Sequence, residues 1–383
     1  MVWETKRIKD FASLITEKTS NENKVALENI EEATGKFIET DSEFDGEGIH
    51  FLKGDVLYGK LRPYLRKVWL SNTEGNAVGD IFVFRNKKNS IPEYLKWLFL
   101  SEDFTSKCNG STQGAKMPRV DSNYILTLSY ELPSLEIQKK IAAFLDSKTQ
   151  NIDKRIELLQ KKKEHYVILR KAIISEIVNE NKSEWKKVRL KDCVREPLKY
   201  GASASGIEYD NSLPRYIRIT DIDDAGNLRD DDLLSLTYEN AEGYLLTNGD
   251  ILLARSGATV GKSFLYEDKF GIAAYAGYLI KVSLKNNFSP KYLYYYTQSI
   301  EYDNWKKRNV IQATIQNLSA DKYNYLMIKM PPLEEQVYLV NFLDKKTVAI
   351  DSIVEKITTE IDTLKIYRRA LINETVTGKL NIE

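Results

Sequence analysis

A 46-residue segment that occurs twice constrains the fold of this chain more than any other feature. Residues Pro133–Val178 align without a gap on Pro331–Val376, 198 positions later, and 18 of the 46 aligned pairs are identical. Helical patterning alone does not require several of these identities, namely Pro133/Pro331, Gln138/Gln336, Phe144/Phe342 and Arg170/Arg368. The repeat therefore indicates one structural unit that is used twice.

Each copy places mostly apolar residues at alternating steps of four and three, which is the a/d spacing of a coiled-coil seam. The predicted seam of the first copy contains Leu145, Ile152, Ile156, Leu159, Tyr166, Arg170 and Ile173, and that of the second contains Leu343, Ile350, Val354, Ile357, Leu364, Arg368 and Leu371. Polar residues also coincide, at Thr149/Thr347 and Arg170/Arg368, and a polar seam residue fixes register. The sequence therefore predicts two long helices that pair with each other as an antiparallel coiled coil.

The segments before the two helices are also related, and we call them lobe 1 (residues 1–131) and lobe 2 (residues 185–329). Gly54–Tyr58 resembles Gly249–Leu253, and Ile91–Leu95 resembles Ser289–Leu293. Short apolar runs between turn residues predict strands, and prolines predict two helix starts. The predicted strands are Asp55–Tyr58, Ile81–Phe84, Tyr216–Ile219, Ile251–Ala254 and Leu279–Val282, and the predicted helices are Pro92–Leu100 and Pro290–Thr297, with Ser289 as a cap.

The expected fold class is therefore α+β, in which two related lobes alternate with two long helices in a pseudo-twofold arrangement. The expected boundaries are 1–131, 132–180, 185–329 and 330–379. A composition of 42% apolar and 29% charged residues is typical of a globular protein. Because the start of the chain has no apolar leader and no run of 18 apolar residues occurs, we expect a cytoplasmic protein without a membrane partner.

Little in the sequence indicates catalysis. Two cysteines and two histidines are too few for a disulfide framework or a four-ligand zinc site. The segment Arg255–Ser263 looks like a phosphate-binding loop, but three residues separate Gly257 from Gly261 where the loop requires four. The only Pro-Pro pair lies at Pro331, outside an amino-methyltransferase tetrad, and no GxSxG nucleophile motif occurs. We therefore expect no enzyme activity, metal or cofactor in this chain.

Basic and amide side chains occupy turns in both lobes, and such groups pair with base edges and phosphates. A net charge of +1 argues against sequence-blind DNA binding but permits local reading of a few base pairs. A single basic residue of this kind is more commonly a solvated surface charge. The occurrence of such residues at matching positions in two lobes favours DNA contact for the group as a whole. The candidates are Lys60, Arg62, Arg66, Gln113, Lys116, Arg119, Arg215, Arg218, Arg255, Lys262, Lys306, Arg308 and Gln312.

The whole chain resembles the specificity (S, HsdS) subunit of type I restriction-modification systems. The motifs that carry the resemblance are Leu132–Gln138, Pro331–Gln336, Phe144–Asp153, Phe342–Asp351, Gly249–Lys262 and Val376–Lys379. In lobe 1 the corresponding segment, Tyr58–Pro63, departs from the family pattern.

The resemblance implies that the lobes are target recognition domains, each reading half of a bipartite site in double-stranded DNA. It also implies that the helices dock two modification (methyltransferase) subunits and that restriction subunits join through the complex. S-adenosylmethionine, ATP and magnesium would then belong to the partner subunits. The alternative is a coiled-coil adaptor whose lobes bind proteins or sugars.

Overall fold

The computed structural model of the protein describes residues 3–20, 23–41, 44, 46–112, 117–223, 226–257, 259–310 and 317–382. The chain forms two compact units. Unit 1 contains Met1–Lys161 and Ile357–Glu383, and unit 2 contains Lys162–Lys356. Each unit thus combines one lobe with parts of both long helices.

The first half of the chain alternates short strands and helices before the first long helix. Its strands are β1 Glu4–Arg7, β2 Ala12–Ile15, β3 Lys18–Thr19, β4 Lys24–Val25, β5 Gly48–Phe51, β6 Val56–Gly59, β7 Val68–Leu70, β8 Gly75–Ala77, β9 Ile81–Asn86 and β10 Ser129–Leu132. Its helices are α1 Ile8–Phe11, α2 Pro92–Leu100, α3 Glu102–Gly110, α4 Ser122–Thr127 and α5 Leu135–Val178, with short 3-10 helices at Leu27–Asn29 and Pro63–Leu65.

The second half follows the same plan. Its strands are β11 Lys186–Arg189, β12 Lys199–Tyr200, β13 Ile207–Glu208, β14 Arg215–Ile217, β15 Leu234–Ser235, β16 Ile251–Ala254, β17 Ser263–Leu265, β18 Ala273–Tyr275, β19 Leu279–Val282 and β20 Met327–Met330. Its helices are α6 Leu190–Cys193, α7 Tyr238–Ala241, α8 Pro290–Tyr296, α9 Ile300–Asn309, α10 Ala320–Asn324 and α11 Leu333–Val376, with 3-10 helices at Ile219–Asp221 and Asp268–Phe270.

A four-stranded antiparallel sheet occupies the same place in each lobe. Its order is β2-β9-β6-β7 in lobe 1 and β12-β19-β16-β17 in lobe 2. The registers also correspond, since Tyr58 lies opposite Phe82 and Leu253 lies opposite Ile280. A second sheet differs in order, β3-β5-β8-β4 against β13-β15-β14-β18, and each lobe closes with a two-stranded pair, β1-β10 or β11-β20.

Aromatic residues fill the core between sheet and helices. In lobe 1, Phe99 of α2 stacks on Phe104 of α3 at 4.6 Å between ring centroids, and Tyr58 of β6 contacts both rings edge-on. In lobe 2, Trp305 of α9 stacks on the fully buried Tyr302 at 5.8 Å. Large ring burial of this kind supplies much of the hydrophobic stabilisation of a small α+β lobe.

The structure corrects the limits of several predicted elements: the strand predicted as Asp55–Tyr58 is Val56–Gly59, and the strand predicted as Ile81–Phe84 extends to Asn86. The predicted strand Tyr216–Ile219 ends at Ile217 and continues as a 3-10 turn. The reason is local: the Asp221 carboxylate accepts the Arg218 backbone N–H at 2.7 Å, and this bond closes the turn. The helix predicted as Pro290–Thr297 ends at Tyr296, and Ser289 caps it as predicted by accepting the Tyr292 N–H.

In unit 1 the two long helices run antiparallel. The side chains of Ile152, Leu371 and Ile372 share one buried cluster. Ion pairs join Asp153 to Arg368 at 2.9 Å and Arg155 to Glu360 at 3.1 Å, so residue numbers rise along α5 as they fall along α11.

Unit 2 contains the other parts of the same helices, again antiparallel. Ile174 and Val178 pack in one cluster with Leu339 and Leu343. Arg170 donates to Asp351 at 2.8 Å, and Lys182 pairs with Glu335 at 2.7 Å. The mixed fold class and the antiparallel helix pairing that the sequence predicts are therefore confirmed.

Every predicted seam residue is buried or half-buried. The coincident threonines are fully satisfied: Thr149 donates to the Leu145 carbonyl at 2.6 Å, and Thr347 contacts the Tyr295 hydroxyl at 3.0 Å. No helix in the described part of the chain combines the length and hydropathy needed to span a membrane.

Candidate nucleic-acid interface and helix surfaces

The same backbone arrangement follows the central strand in each lobe. In lobe 1, Lys60 comes directly after β6, donates its N–H to the Asp80 carbonyl at 2.9 Å and accepts the Val120 N–H at 3.1 Å. In lobe 2, Arg255 comes directly after β16, donates to the Tyr278 carbonyl at 3.0 Å and accepts the Leu318 N–H at 2.8 Å. Arg255 therefore occupies the position of Lys60.

An isolated bridge extends this correspondence. Leu61 pairs with Arg119 in lobe 1, and Ser256 pairs with Asn317 in lobe 2, where Asn317 lies 198 positions after Arg119. The backbone bonds thus bring three residues together in each lobe: Lys60, Asp80 and Arg119 in lobe 1, and Arg255, Tyr278 and Asn317 in lobe 2. Two of the three differ in chemical type between the lobes, and the third exchanges lysine for arginine.

In lobe 1 the three side chains form a charged cluster. Arg119 donates to both carboxylate oxygens of Asp80, from Nε at 3.1 Å and from Nη2 at 2.9 Å, and the Lys60 ammonium lies 3.5 Å from the same carboxylate. Hydrogen bonding from Arg119, aided by the charges of Arg119 and Lys60, lowers the pKa of the Asp80 carboxyl. The exposed Arg62 stands beside this cluster in left-handed backbone conformation, with φ 51°.

In lobe 2 the corresponding cluster combines an arginine with aromatic and amide groups. The Arg255 guanidinium lies 4.5 Å from the centroid of the Tyr200 ring, and Tyr278 is 62% exposed. Within the described residues, neither Arg255 Nε nor Asn317 Oδ1, both buried, has a hydrogen-bond partner. Arginine, tyrosine and asparagine together can stack on bases and bond their edges.

Several other candidates form ion pairs within their own lobe. Arg66 is only 8% exposed and pairs with Glu102 of α3. Arg215 is tied to Asp230, and Arg218 to Asp221 and Asp232. The guanidinium groups of these side chains already donate hydrogen bonds to protein carboxylates, so fewer of their N–H groups are available to DNA.

The remaining candidates are Lys306, Arg308 and Lys262, and three that lie outside the described residues. Lys306 pairs with Asp303 at 2.8 Å, and burial lowers the pKa of Lys306. Arg308 is exposed and donates to the Asn304 carbonyl, and Lys262 donates to the Ile222 carbonyl. Gln113, Lys116 and Gln312 lie outside the residues that the structure describes.

The sequence reasoning did not select Asp80, Tyr200, Tyr278 or Asn317. An isolated aspartate or tyrosine in a sequence does not indicate nucleic-acid binding. The offset of 198 between the lobes would have matched Asn317 with Arg119, and this signal was present in the sequence.

A second kind of surface lies on the long helices. Ile168 and Leu169 of α5 are 64% and 47% exposed, and their repeat equivalents in α11, Ile366 and Tyr367, are 64% and 54% exposed. Apolar side chains this exposed at matched positions are typical of protein-binding surfaces. Within the described ranges, no group of three or more His, Cys, Asp or Glu side chains is placed to hold a metal ion.

Comparison with known proteins relates the chain to one family. The family model described as type I restriction modification DNA specificity domain matches residues 2–165 and 182–363. The chain is 24% identical to a putative type I restriction enzyme MjaX specificity subunit of Methanocaldococcus jannaschii, over 100% of this chain and 94% of that protein. It is 20% identical to the type I restriction enzyme StySPI specificity subunit of Salmonella potsdam, over 78% of this chain and 68% of that protein.

Two solved structures share the fold. One comes from work on complex assembly and conformational transition of the type I R-M system, with TM-score 0.78 and 18% identity over 99% of this chain and 98% of the other. The second is the HsdS subunit from Thermoanaerobacter tengcongensis, with TM-score 0.52 and 18% identity over 99% and 97%.

Proposed function

The chain belongs to the family of type I restriction modification DNA specificity domains, and we propose that each of its lobes recognises one half of a bipartite site in double-stranded DNA. Family membership makes it a DNA specificity subunit rather than a catalytic one. The adaptor alternative, with lobes that bind proteins or sugars, has no support from the family.

The observation that carries the proposal is the shared frame after β6 and β16. Identical backbone bonds hold Lys60 and Arg119 in one lobe, and Arg255 and Asn317 in the other. A common scaffold that presents different donor groups suits two readers of different half-sites, because bases are distinguished by side-chain donors and acceptors.

We further propose that the exposed apolar pairs on the long helices dock two modification subunits. Ile168 with Leu169 and Ile366 with Tyr367 occupy matched positions of the repeat, as two copies of one partner require. In this proposal the complex methylates adenine, restriction subunits join through it, and S-adenosylmethionine, ATP and magnesium are bound by the partners. We also propose that the complex acts in the cytoplasm.

A lobe exchange tests the proposed function. Replacing residues 1–131 with lobe 1 of a related subunit is expected to change one half of the methylated DNA motif and to leave the other half unchanged. The reciprocal exchange of residues 185–329 should change only the other half. Methylome sequencing of cells that carry each chimera with the modification subunit is the measurement. A single exchange that alters both halves would show that the lobes do not read independently.

Substitutions on the helix surfaces test the docking proposal. The double change Ile168→Glu with Leu169→Glu should weaken one modification subunit at least tenfold, because a carboxylate must be buried in an apolar contact. Ile366→Glu with Tyr367→Glu should weaken the other, and all four together should abolish assembly. Native mass spectrometry of the complex counts the bound subunits.

The matched control for this test is Gln160→Glu, which adds the same carboxylate at an exposed polar position of α5. It should leave two modification subunits bound. Undiminished two-to-one assembly by the fourfold variant would place the docking surface elsewhere.

A further inference from the structure

We propose that Arg119, held in place by Asp80, reads the major-groove edge of a guanine in the half-site of lobe 1. The inference rests on the proposed DNA-recognition function and assigns one side chain and one base type within it. It distinguishes Arg119 from the other basic residues of lobe 1 by the way its donors are arranged.

The geometry of the Arg119–Asp80 pair leaves a particular set of donors available. A guanidinium carries five N–H groups in one plane. Two of the five, one on Nε and one on Nη2, point at Asp80, at 3.1 and 2.9 Å. Three therefore remain, two on Nη1 and one on Nη2, and among the described residues none accepts them. One N–H on Nη1 and the free N–H on Nη2 form the end-on fork that matches the O6 and N7 acceptors of guanine.

An exposed arginine–carboxylate pair has little energetic value by itself and is common on protein surfaces. Two features separate this pair from that background. The backbone of Arg119 is fixed, since Leu61 and Arg119 form a bridge and Arg62 N–H donates to the Pro118 carbonyl at 2.8 Å. Asp80 also lies 3.5 Å from Lys60, so two cations share one carboxylate. An arginine side chain held from both ends loses less conformational entropy on binding a base.

The local charge suits a site that approaches DNA. Lys60, Arg62 and Arg119 carry three positive charges against the single negative charge of Asp80, so the cluster is net positive. Arg62 is exposed, and its side chain has no hydrogen bond or ion pair within the described residues. The left-handed backbone conformation is unusual for a residue other than glycine, and residues that adopt it cluster at functional sites. Arg62 is thus placed to contact a phosphate while Arg119 contacts the base.

The corresponding position of lobe 2 has different chemistry. Asn317 stands in place of Arg119, and Tyr278 in place of Asp80, so the residue at the Asp80 position carries no carboxylate that could orient an arginine fork. An asparagine has no guanidinium fork for the O6 and N7 acceptors of guanine. The two half-sites are therefore expected to differ at the base that this position reads.

The test uses the full chain assembled with its modification subunits and a pool of duplexes with randomised half-sites. The wild-type complex is expected to select guanine at one position of the lobe 1 half-site. Arg119→Ala should reduce that preference roughly 5- to 150-fold, the value of one bidentate base contact, and leave the lobe 2 half-site unchanged. Asp80→Asn should relax the same position, because the fork loses its second anchor. Arg119→Lys keeps the charge without the fork, so it should retain most of the affinity and lose the base preference.

A modified base locates the contact directly. Replacing that guanine with 7-deazaguanine removes the N7 acceptor, which should weaken the wild-type complex but have no further effect on Arg119→Ala. Inosine keeps O6 and N7 and should bind as guanine does. The matched control, Asn317→Ala, should alter only the lobe 2 half-site. Thermal unfolding of each variant checks that it remains folded.

Two results would overturn this inference and leave the proposed function standing. One is a uniform loss of affinity for all sequences on Arg119→Ala, which identifies a phosphate contact. The other is an equal 7-deazaguanine effect in wild type and variant, which shows that Arg119 does not touch N7. A wild-type complex that selects no base in either half-site would instead overturn the proposed function, and this inference with it.

Discussion

Replacing Arg368 with alanine is expected to destabilise unit 1 by about 3 to 5 kcal/mol, the usual cost of removing one partner from a buried ion pair. Arg368 is 8% exposed, and its guanidinium donates from Nε to Asp153 at 2.9 Å. Nη1 donates to the Ala33 carbonyl at 2.8 Å, and Nη2 to the Thr34 carbonyl at 3.2 Å. The substitution therefore removes the bonds of one carboxylate and two carbonyls together.

The repeat provides a matched comparison for this prediction. Arg170 is the equivalent residue in unit 2, where it donates to Asp351 at 2.8 Å and to the Gln298 amide oxygen at 2.5 Å. The Arg170 side chain is 22% exposed and Asp351 is 53% exposed, so water screens this pair more strongly. Arg170→Ala is expected to cost only about 1 kcal/mol.

The measurement is chemical denaturation combined with hydrogen exchange, which assigns the loss of stability to one unit. Arg368→Lys keeps the positive charge but cannot bond three acceptors at once, so it should recover only part of the loss. Equal costs for Arg368→Ala and Arg170→Ala would contradict the prediction, because the two sites differ in burial.

Arg368 also explains why a charged residue occupies a seam position. In unit 1 it joins α5, through Asp153, to the backbone of lobe 1 at Ala33 and Thr34. The polar interruption in the heptad pattern is therefore an anchor between lobe and helices as well as a register signal. A lobe that recognises DNA must keep one orientation relative to the long helices, and the Arg368 contacts help to fix that orientation in unit 1.

The parts of the fold that the sequence predicted are those with a local, periodic signal. The a/d pattern predicted the two long helices, and proline with Ser289 predicted the starts of α2 and α8. Two-residue strands such as β3 and β4 are too short to carry a periodic pattern. Tertiary pairing alone defines them, so the sequence reasoning could not place them.

The candidate interface was harder to predict for the same reason. Arg119 was selected for its charge, but its contact with Asp80 spans 39 positions and depends on the register that brings Lys60 beside Asp80. Charge alone also selected Arg66, whose burial against α3 becomes evident only when the 3-10 turn Pro63–Leu65 is packed. Sequence pattern therefore supplied the residue types, and sheet register supplied their arrangement.

The glutamine of each repeated motif is another contact that pattern alone could not explain. Gln138 is fully buried, and its Oε1 accepts the Ile91 N–H at 3.0 Å, while Nε2 donates to the Asn89 and Pro133 carbonyls at 3.0 and 2.8 Å. Ile91 is the N-cap residue of α2. One amide therefore joins the first turn of α5 to the start of a lobe helix.

Gln336 repeats this role in unit 2 with fewer bonds. Its Oε1 accepts the N–H of Ser289, the N-cap residue of α8, at 2.8 Å, and its Nε2 donates to the Pro331 carbonyl at 2.8 Å. The identity at this position, which heptad patterning does not require, thus reflects a shared junction between each lobe and the helix that follows it.

Gln138→Leu is accordingly expected to destabilise unit 1 by about 3 kcal/mol, because leucine has a similar volume but leaves one half-buried N–H and two carbonyls without partners. Gln336→Leu should cost about 1 kcal/mol less, since two bonds are lost instead of three. Denaturant unfolding of both variants measures the difference. The control Lys139→Leu adds the same side chain at an exposed position of α5 and should change stability by less than about 0.5 kcal/mol. If Gln138→Leu were as stable as this control, the buried amide would not be what fastens the lobe to the helix.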